Sequence, residues 1–432
     1  MLRPVLLFAI GALLCAPALA GCAADASSAS RGAQAVPNVV VPGSTVRHPS
    51  VASGCSGTAL GAFIGGSDNN AAAGTDSGVL SGSANEACAN DSSIDSGHGN
   101  LVDNGATDSW IGGGLTNTIN AGETYGAIAG GESNRITGSN AGAAFVGGGN
   151  GNTASALDAV IGGGASNTNQ SSYAVLGGGS SNQIQAGGTY AVLAGGTNNV
   201  VSGEGGYVAA GGYNVVSGEG AVIDGGFNNA AAGTFATIPG GYVNSAAGTY
   251  SFAAGARASA AQTGTFVWSD GSDGDTILTS ARAYQFLARA SGGVTFWTNA
   301  ASTVGATLAP GSGTWASASD RNLKTDVARI DDAAVLDKVA ALPIALWSYK
   351  SERGVRHVGP MAQDFYAAFR VGEDDKHITS IDEDGVALAA IKALHAENAG
   401  LRARLAVEAR HDRRVDAELA SLRAEMRALR TR

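Results

Sequence analysis

Short apolar alternations recur along the middle of this chain, from about residue 56 to residue 250. In three such segments, the first residue is small, the third is large and apolar, and both face the same side of the strand. The segments are Ala174-Val175-Leu176, Ala191-Val192-Leu193 and Ala236-Thr237-Ile238. A period of two is typical of a β-strand with one face turned inward. Because each alternation covers so few residues, the pattern predicts many short strands.

A pair of glycines and then an asparagine follow each alternation, and this whole unit repeats. Successive asparagines are 15 to 18 residues apart, most often 15. A fixed short period indicates a solenoid, and a coil of this size has room for two short strands at most. Clear copies end at Asn69, Asn117, Asn167, Asn182 and Asn244, and weaker copies end at Asn85, Asn100, Asn134, Asn152, Asn199, Asn214 and Asn229.

The glycines and the asparagine suggest how each coil closes. Gly195-Gly196 and their equivalents turn the chain where a side chain would clash or where φ must be positive. The asparagine tolerates the left-handed conformation, can bond its own turn and, at one per coil, can stack into an amide ladder. The interior of such a coil is narrow, so several chains packed side by side would bury far more surface than one.

The regular spacing ends near residue 250, and residues 251–318 are predicted to form a separate β neck. Within it, Phe266–Asp270, Gln285–Ala290 and Gly293–Trp297 have the composition of strands joined by Gly, Ser and Asp turns. The last part of this segment resembles the neck of fibre proteins. The aromatic residues expected in its core, shared between chains, are Trp268, Phe286 and Trp297.

Apolar residues then recur three and four positions apart from Ile391 to the end of the chain, which is the heptad pattern of a coiled coil. Asn398 in this seam is expected to set the register, whereas Glu408 and Asp412 mark a weak point. Residues 391–432 are therefore predicted to be a helix that associates with other helices. The seam positions are Ile391, Leu394, Asn398, Leu401, Leu405, Glu408, Asp412, Val415, Leu419, Leu422, Met426 and Leu429.

Composition narrows the function classes. Glycine makes up 65 of 432 residues and charged residues 14%, against usual values of about 7% and 25%. Hydrophobic residues are 44%, so the chain is not simply disordered. The net charge of −10, without a long basic block outside the last helix, argues against nucleic-acid binding. CxxC and GGxGxD motifs are absent, so we predict neither a metal nor a cofactor.

The N-terminus is predicted to be an export leader, residues 1–22. Arg3 precedes the apolar run Val5–Leu14, which is too short to span a bilayer. Two cleavage sites stay open: Ala18-Leu19-Ala20 is an A-x-A site, and Leu19-Ala20-Gly21-Cys22 resembles the bacterial lipobox, in which Cys22 is lipidated. We therefore expect the protein to be exported to the outer membrane or cell surface and to contact the membrane through a lipid anchor.

Residues 23–55 are rich in Ala, Ser, Val and Pro, which predicts a flexible tether. Because the leader is expected to export the protein to an oxidising compartment, the first expectation for Cys55 and Cys88 is a disulfide. Their separation of 33 residues corresponds to about two coils, which would place them far apart. The sequence leaves this pairing open.

Two family resemblances add to this picture. Residues 56–250 resemble the β-roll heads of trimeric autotransporter adhesins in their alternation, paired glycines and turn asparagines. Three ordered motifs, SDRNLK at 319–324, HVGPMAQDF at 357–365 and DGVALAAIKALHAENAGL at 384–401, resemble the endosialidase-type intramolecular chaperone, a self-cleaving domain of phage tail fibres. The fold class expected is mainly β: a solenoid shaft, an α+β chaperone domain (319–390) and a coiled-coil helix. The resemblance implies a homotrimer.

The same resemblance implies a Ser-Lys dyad. Serine is a poor nucleophile until a base removes its proton, and lysine is such a base only when neutral, a form that burial favours. By resemblance, Ser319 attacks the Ala318 carbonyl, Lys324 is the general base, and Asp320 orients the turn. The chain would then be an autoproteolytic serine peptidase that cuts itself between Ala318 and Ser319, with no external substrate.

The function expected is an exported, trimeric, fibre-like or adhesin-like protein, whose ligand would be a host surface or a glycan. The alternative is a tailspike-like glycan-degrading enzyme, which needs two carboxylates about 5–10 Å apart. Its candidates are the turn residues Asp158, Glu204, Glu219 and Asp224, with Glu204 and Glu219 one repeat apart. Recurring aromatic residues, which suit chain contacts or ligand adhesion, are Tyr190, Tyr207, Tyr213, Phe227, Phe235 and Tyr242.

Overall fold

The structure, a computed structural model, describes residue 55 and residues 60–66, 69–138 and 142–431. The predicted leader, Cys22 and nearly all of the tether lie outside these residues. The chain divides into two compact units. The first, here called the shaft, extends to Val294 and includes Leu308–Trp315; the second, here called the C-terminal unit, comprises Thr295–Thr307 and Ala316–Arg432.

The shaft consists of short strands at nearly regular intervals. In chain order they are β1 (Phe63–Ile64), β2 (Ala71–Ala72), β3 (Gly78–Val79), β4 (Glu86–Ala87), β5 (Ser93–Ile94), β6 (Leu101–Val102), β7 (Trp110–Ile111), β8 (Thr118–Ile119), β9 (Ala127–Ile128), β10 (Arg135–Ile136), β11 (Phe145–Val146), β12 (Thr153–Ala154), β13 (Val160–Ile161), β14 (Thr168–Asn169), β15 (Val175–Leu176), β16 (Gln183–Ile184), β17 (Val192–Leu193), β18 (Val200–Val201), β19 (Tyr207–Val208), β20 (Val215–Val216), β21 (Val222–Ile223), β22 (Ala230–Ala231), β23 (Thr237–Ile238), β24 (Ser245–Ala246), β25 (Phe252–Ala256), β26 (Ala258–Ala260), β27 (Phe266–Asp270), β28 (Leu278–Thr279) and β29 (Phe286–Arg289).

These strands form two parallel sheets that wind together. The odd-numbered strands β1 to β29 make a fifteen-stranded sheet, here called sheet A, and the even-numbered strands β2 to β28 make a fourteen-stranded sheet, here called sheet B. Each strand pairs with the equivalent strand one coil away, as Val175 does with Val192. A third line of single bridges also joins successive coils, from Ser83 to Ala256. The predicted β-solenoid is confirmed.

The core is one file of apolar side chains per sheet. The second residue of the two-residue strands β2 to β24 points inward, for example Ile161 in sheet A and Ile184 in sheet B, and both are fully buried. Small residues such as Ala159, Ala174 and Ala191 fill the narrow space between the two files. The alternation of small and larger residues in the sequence therefore fits a narrow core, to which each sheet contributes about one large side chain per coil.

An asparagine ladder closes one edge of the core, as its spacing predicted. At Asn199, the backbone N–H donates to Oδ1 of Asn182 (3.0 Å), and Nδ2 donates to the carbonyls of Gly195 (3.1 Å) and Gly211 (2.9 Å). Asn214 donates in turn to Oδ1 of Asn199 at 3.0 Å. The buried rungs are Asn70, Asn85, Asn100, Asn117, Asn134, Asn152, Asn167, Asn182, Asn199, Asn214, Asn229 and Asn244.

Two details of the ladder differ from the sequence prediction. Its first rung is Asn70, not Asn69, because the backbone N–H of Asn85 donates to Oδ1 of Asn70. The left-handed conformation also belongs to the residue before the rung, as at Asn198 (φ 55°). The rung asparagine has to direct its side-chain amide inward to make the ladder bonds, so the residue before it adopts the left-handed conformation of the turn.

From Asn85 to Asn244, glycine lies three residues before each rung and is required there. Gly164 has φ +90°, and a Cβ there would lie 2.2 Å from the carbonyl oxygen of Gly179 and 2.7 Å from Nδ2 of Asn167. Any side chain would therefore push apart two neighbouring coils and displace the ladder amide. This close approach, together with the positive φ, explains one glycine of each predicted pair.

The shaft does not stop at residue 250, where a separate neck was predicted. Strands β25 to β29 continue sheets A and B in the same order, so the solenoid extends to Arg289. The strands predicted at Phe266–Asp270 and within Gln285–Ala290 are present, but they are coils of the shaft. Sequence spacing obscured this because the last coils contain long turns and lack the ladder asparagine.

A disulfide joins Cys55 and Cys88, whose Cα atoms are 5.1 Å apart. The expectation that two coils would separate these residues is not met. Cys55 packs with Ala71, Ala73 and Cys88 in a small buried cluster. Ala73 is the equivalent of Cys88 one coil earlier, so Cys55 lies beside Cys88 rather than two full coils below it.

The remaining elements follow the shaft strands. Strands β30 (Val294–Trp297), β31 (Gly305–Leu308) and β32 (Trp315–Ser317) form a sheet in that order, and a 3-10 helix, Arg321–Leu323, comes next. Helix α1 (Asp332–Ala341), the antiparallel strands β33 (Ala345–Trp347) and β34 (His357–Gly359), and helices α2 (Ala362–Phe369) and α3 (Ser380–Arg430) complete the chain. None of the helices in the described part of the chain is both long and apolar enough to cross a bilayer.

Candidate active site

The predicted cleavage site lies just after the end of a strand. Strand β32 ends at Ser317, and the backbone N–H of Ala318 donates to the carbonyl of Gly305 at 3.1 Å. This bond holds the residue before the predicted cut next to β31. Gly305 has no room for a side chain, since a Cβ there would lie 2.0 Å from the carbonyl oxygen of Phe296. Nothing in the sequence pattern pointed to Gly305 as a neighbour of Ala318.

Ser319 and Lys324 are brought together by the short helix between them. The Lys324 Nζ donates a hydrogen bond to the Ser319 Oγ at 2.7 Å. The 3-10 helix Arg321–Leu323 reverses the chain within three residues, so that residues five apart in sequence face each other. The pair has the distance that transfer of a proton from hydroxyl to amine requires.

Asp320 stabilises that turn. Its Oδ1 accepts hydrogen bonds from the backbone N–H of Asn322 (2.9 Å) and from the Asn322 Nδ2 (3.0 Å). Asp320 is thus the N-cap of the 3-10 helix, and its carboxylate is directed at the turn. The geometry gives Asp320 a positioning role, because its hydrogen bonds go to Asn322 and those of the dyad are made without it.

Replacing Asp320 separates this positioning role from a proton-transfer role. We expect Asp320→Ala to slow release of the C-terminal fragment by about fivefold, since loss of a capping bond costs about 1 kcal/mol. Asp320→Asn keeps an oxygen acceptor at the same place and should release the fragment at close to the wild-type rate. Quantitative gels over time measure both rates. Equal loss in the two variants, with a changed pH profile, would show that the charge itself takes part.

The C-terminal unit has almost no core of its own. Among its described residues, the buried apolar side chains are Phe365, Ala389, Ala390 and Ala393. Larger apolar side chains around the dyad and on the β33–β34 hairpin are exposed instead. They include Leu323, Val327, Ile330, Ile344, Leu346, Val355 and Val358. A soluble domain does not normally leave so much of its apolar surface in water.

Helix α3 shows the same feature over its whole length. It begins at Ser380, where the Oγ1 of Thr379 accepts from the backbone N–H of Asp382, so the boundary predicted at 390 falls inside one continuous helix. The heptad seam is exposed in the single chain, and Asn398 bonds the carbonyl of Leu394 in its own helix. The exposed apolar residues of the seam are Ile391, Leu394, Leu401, Leu405, Val415, Leu419, Leu422, Met426 and Leu429.

Further contacts hold the elements of this unit together. Helix α1 has Asp331 as its N-cap, and an ion pair between Asp332 and Lys392 ties α1 to α3. His357 packs on Trp347, with ring centres 4.7 Å apart. The pKa of Asp374 is lowered because the backbone N–H of Lys376 and the side chain of His377 donate hydrogen bonds to its carboxylate.

The shaft carboxylates of the alternative, enzymatic hypothesis lie in turns. Glu204 and Glu219 occupy equivalent positions one coil apart, since the backbone N–H of Gly220 donates to the carbonyl of Glu204. Both side chains are exposed, as is that of Asp224, and Asp158 is half-buried. These positions are typical of solvated turn residues and do not form a substrate cleft among themselves.

Comparison with known proteins adds a family to this geometry. No curated protein matches the chain significantly. A family model described as chaperone of endosialidase matches residues 319–371, which extend from the dyad serine past α2. The match ends before α3, so the third motif at 384–401 lies beyond it. The segment that contains Ser319 and Lys324 is therefore similar to the endosialidase-type chaperone, as the sequence motifs predicted.

Proposed function

We propose that this chain is an exported, fibre-like homotrimer that matures by cutting itself between Ala318 and Ser319. A β-solenoid followed by a segment similar to the endosialidase chaperone fits a tail-fibre-like protein. In this proposal, the C-terminal unit directs assembly of three chains and is then removed. The mature product is the shaft.

The uncovered apolar surface of the C-terminal unit carries the proposal. Among its described residues, the buried core consists of one phenylalanine and three alanines, and the apolar side chains of the α3 seam are exposed. A helix of 51 residues with such a seam is typical of a coiled coil between chains. Assembly with other copies would cover these side chains and the dyad together.

Assembly and cleavage are linked in this proposal by the chemistry of the dyad. The hydroxyl and the amine are both exposed in a single chain. Withdrawal of an amine from water favours its neutral form, and a neutral amine can accept a proton. Cleavage would thus begin only when neighbouring copies cover the site.

The reaction then proceeds in two steps, which are the formation of an ester and its hydrolysis. The Ser319 Oγ bonds to the Ala318 carbonyl carbon as its proton passes to the Lys324 Nζ. The C–N bond between Ala318 and Ser319 breaks, and the proton passes to the departing nitrogen, which leaves an ester. Water then hydrolyses the ester, giving a carboxylate at Ala318 and a free amine and hydroxyl at Ser319.

Export and attachment belong to the same proposal and rest on residues 1–22 alone. The A-x-A site and the lipidated Cys22 remain the two forms of the mature N-terminus, and its mass distinguishes them. A host-surface molecule or glycan remains the proposed class of ligand for the shaft.

One experiment tests the assembly and the cleavage together. The purified chain is sized by light scattering and run on denaturing gels with and without boiling. We expect the mass of three shafts, and two denatured fragments that meet at Ala318 and Ser319. A monomer in solution, or an assembled chain that stays full-length, would contradict the proposal.

A further inference from the structure

We propose that the outer face of sheet A is the surface along which the three shafts pack against each other. This inference rests on the proposed trimer and adds which side of each solenoid turns toward its copies. The face consists of the outward residues of the odd-numbered strands and of the aromatic residues two positions before them. It is here called the apolar strip.

The first column of the apolar strip contains no charged residue in fifteen successive strands. Its members are Phe63, Gly78, Ser93, Trp110, Ala127, Phe145, Val160, Val175, Val192, Tyr207, Val222, Thr237, Phe252, Phe266 and Phe286. At about 4.8 Å per strand, this column is roughly 67 Å long. From Trp110 to Phe286 every member except Thr237 is apolar, and an exposed apolar surface of this extent marks an interaction site.

The outward residues of sheet B provide an internal comparison. They include Glu86 and Arg135, and most of the others are Thr, Ser, Gln or small residues. Both sheets have the same coil geometry and the same inward core. The difference between them therefore reflects what each outer face meets, which is water for sheet B.

A second column of exposed aromatic rings lies beside the first. Its residues precede the strand by two positions and have φ between 54° and 62°, a conformation that is costly for aromatic side chains. Tyr173 stacks on Tyr190 (5.4 Å) and Phe235 on Tyr250 (5.8 Å). In other coils the same position holds aspartate, which tolerates this conformation better, so the aromatic residues are understandable where a partner covers their rings. The rings of this column are Tyr125, Tyr173, Tyr190, Phe235, Tyr250 and Tyr284.

Another copy of this chain is the partner that fits the strip best. An identical shaft has the same coil pitch, so the coils of two copies stay in step along the whole length. The first column offers no charge pattern that a different protein would have to complement, and in the second column the charges are confined to Asp76, Asp91, Asp108 and Asp158. A second group of rings, Tyr213, Phe227 and Tyr242, covers only three coils and suits a local contact instead.

Cysteine cross-linking in the full chain tests which face is inside. Val192→Cys places a thiol in the first column of the strip, and Gln183→Cys places one on the outer face of sheet B. Neither change touches the core, because both residues point outward. After oxidation, we expect non-reducing gels to show covalently linked chains for Val192→Cys and single chains for Gln183→Cys. Linked chains from Gln183→Cys alone, or from neither variant, would overturn the assignment if the wild type is a trimer.

A paired charge variant gives an independent measurement. Val175→Glu with Val192→Glu brings carboxylates together at the proposed contact and should lower the trimer fraction of the mature shaft at least tenfold. Thr168→Glu with Gln183→Glu, on sheet B, should leave it unchanged. Fragment release is followed in the same samples, so failure of the C-terminal unit is recognised separately. A trimer that survives the first pair, or a monomeric wild-type shaft whose strip binds another molecule, would refute the proposal.

Discussion

Replacing Ser319 with alanine is expected to leave the chain in one piece, with no fragment of residues 319–432. Without the hydroxyl there is no atom to attack the Ala318 carbonyl, and loss of a nucleophile typically lowers such rates by three orders of magnitude or more. The change removes one atom from an exposed residue, so assembly should persist. Light scattering and a denaturing gel of the same sample measure both properties.

Two further variants make this result specific. Ser317→Ala removes an exposed hydroxyl two residues away, at the end of β32, and should release the fragment normally. Lys324→Met keeps a side chain of similar length but removes the base, and should slow release by about a hundredfold or more. A fragment that still forms in Ser319→Ala would exclude Ser319 as the nucleophile, whatever the oligomeric state.

Replacing Asn199 with aspartate is expected to produce the largest loss of shaft stability. The side chain is fully buried, and its Nδ2 supplies donors to the carbonyls of Gly195 and Gly211. A carboxylate would remove these donors and place a charge among carbonyl oxygens, at a cost of about 3–5 kcal/mol. Each coil contacts only its neighbours, so the loss should be local. Hydrogen exchange should show faster opening around Asn199 than in coils several repeats away.

The control and the pH dependence follow from the same contacts. Asn198→Asp changes the adjacent residue, which is not a rung and has a left-handed conformation that aspartate tolerates, so we expect little effect. At position 199, burial raises the pKa of an introduced carboxyl above its unfolded value. The variant is then closest to the wild type at low pH and loses stability as pH rises. Equal destabilisation at both positions would contradict the role given to the ladder.

The solenoid was predictable because its rules are local. Each coil has inward residues of the same kind and the same asparagine, so the twelve imperfect copies of the repeat all predict the same coil structure. The exact rung was less certain at Asn69-Asn70, where two asparagines are adjacent and only the hydrogen bond to Asn85 distinguishes them. The continuation of the shaft to Arg289 was missed, because β25 to β29 keep the strand order after the asparagine signal has ended.

The proximity of Ser319 and Lys324 was predictable for a different reason, whereas their catalytic role stays a prediction. Ser319 and Lys324 are common residues on an exposed turn, and their spacing alone has little meaning. The three ordered motifs identify the two residues as a candidate pair. The structure adds the 2.7 Å contact between the Lys324 Nζ and the Ser319 Oγ, and the capping role of Asp320. The bond from Ala318 to Gly305 depends on strand pairing thirteen residues apart and has no signature in the sequence.

The hydrogen bonds of the asparagine ladder have a consequence for how such a protein can change over evolutionary time. Rungs lie 15 residues apart at Asn199 and Asn214 but 18 apart at Asn134 and Asn152, with the same bonds between them. Extra residues are thus absorbed in a turn without disturbing the stack. Gene segments that encode whole coils can be duplicated or deleted, and the shaft would become longer or shorter by about 4.8 Å per unit while the C-terminal unit stays the same.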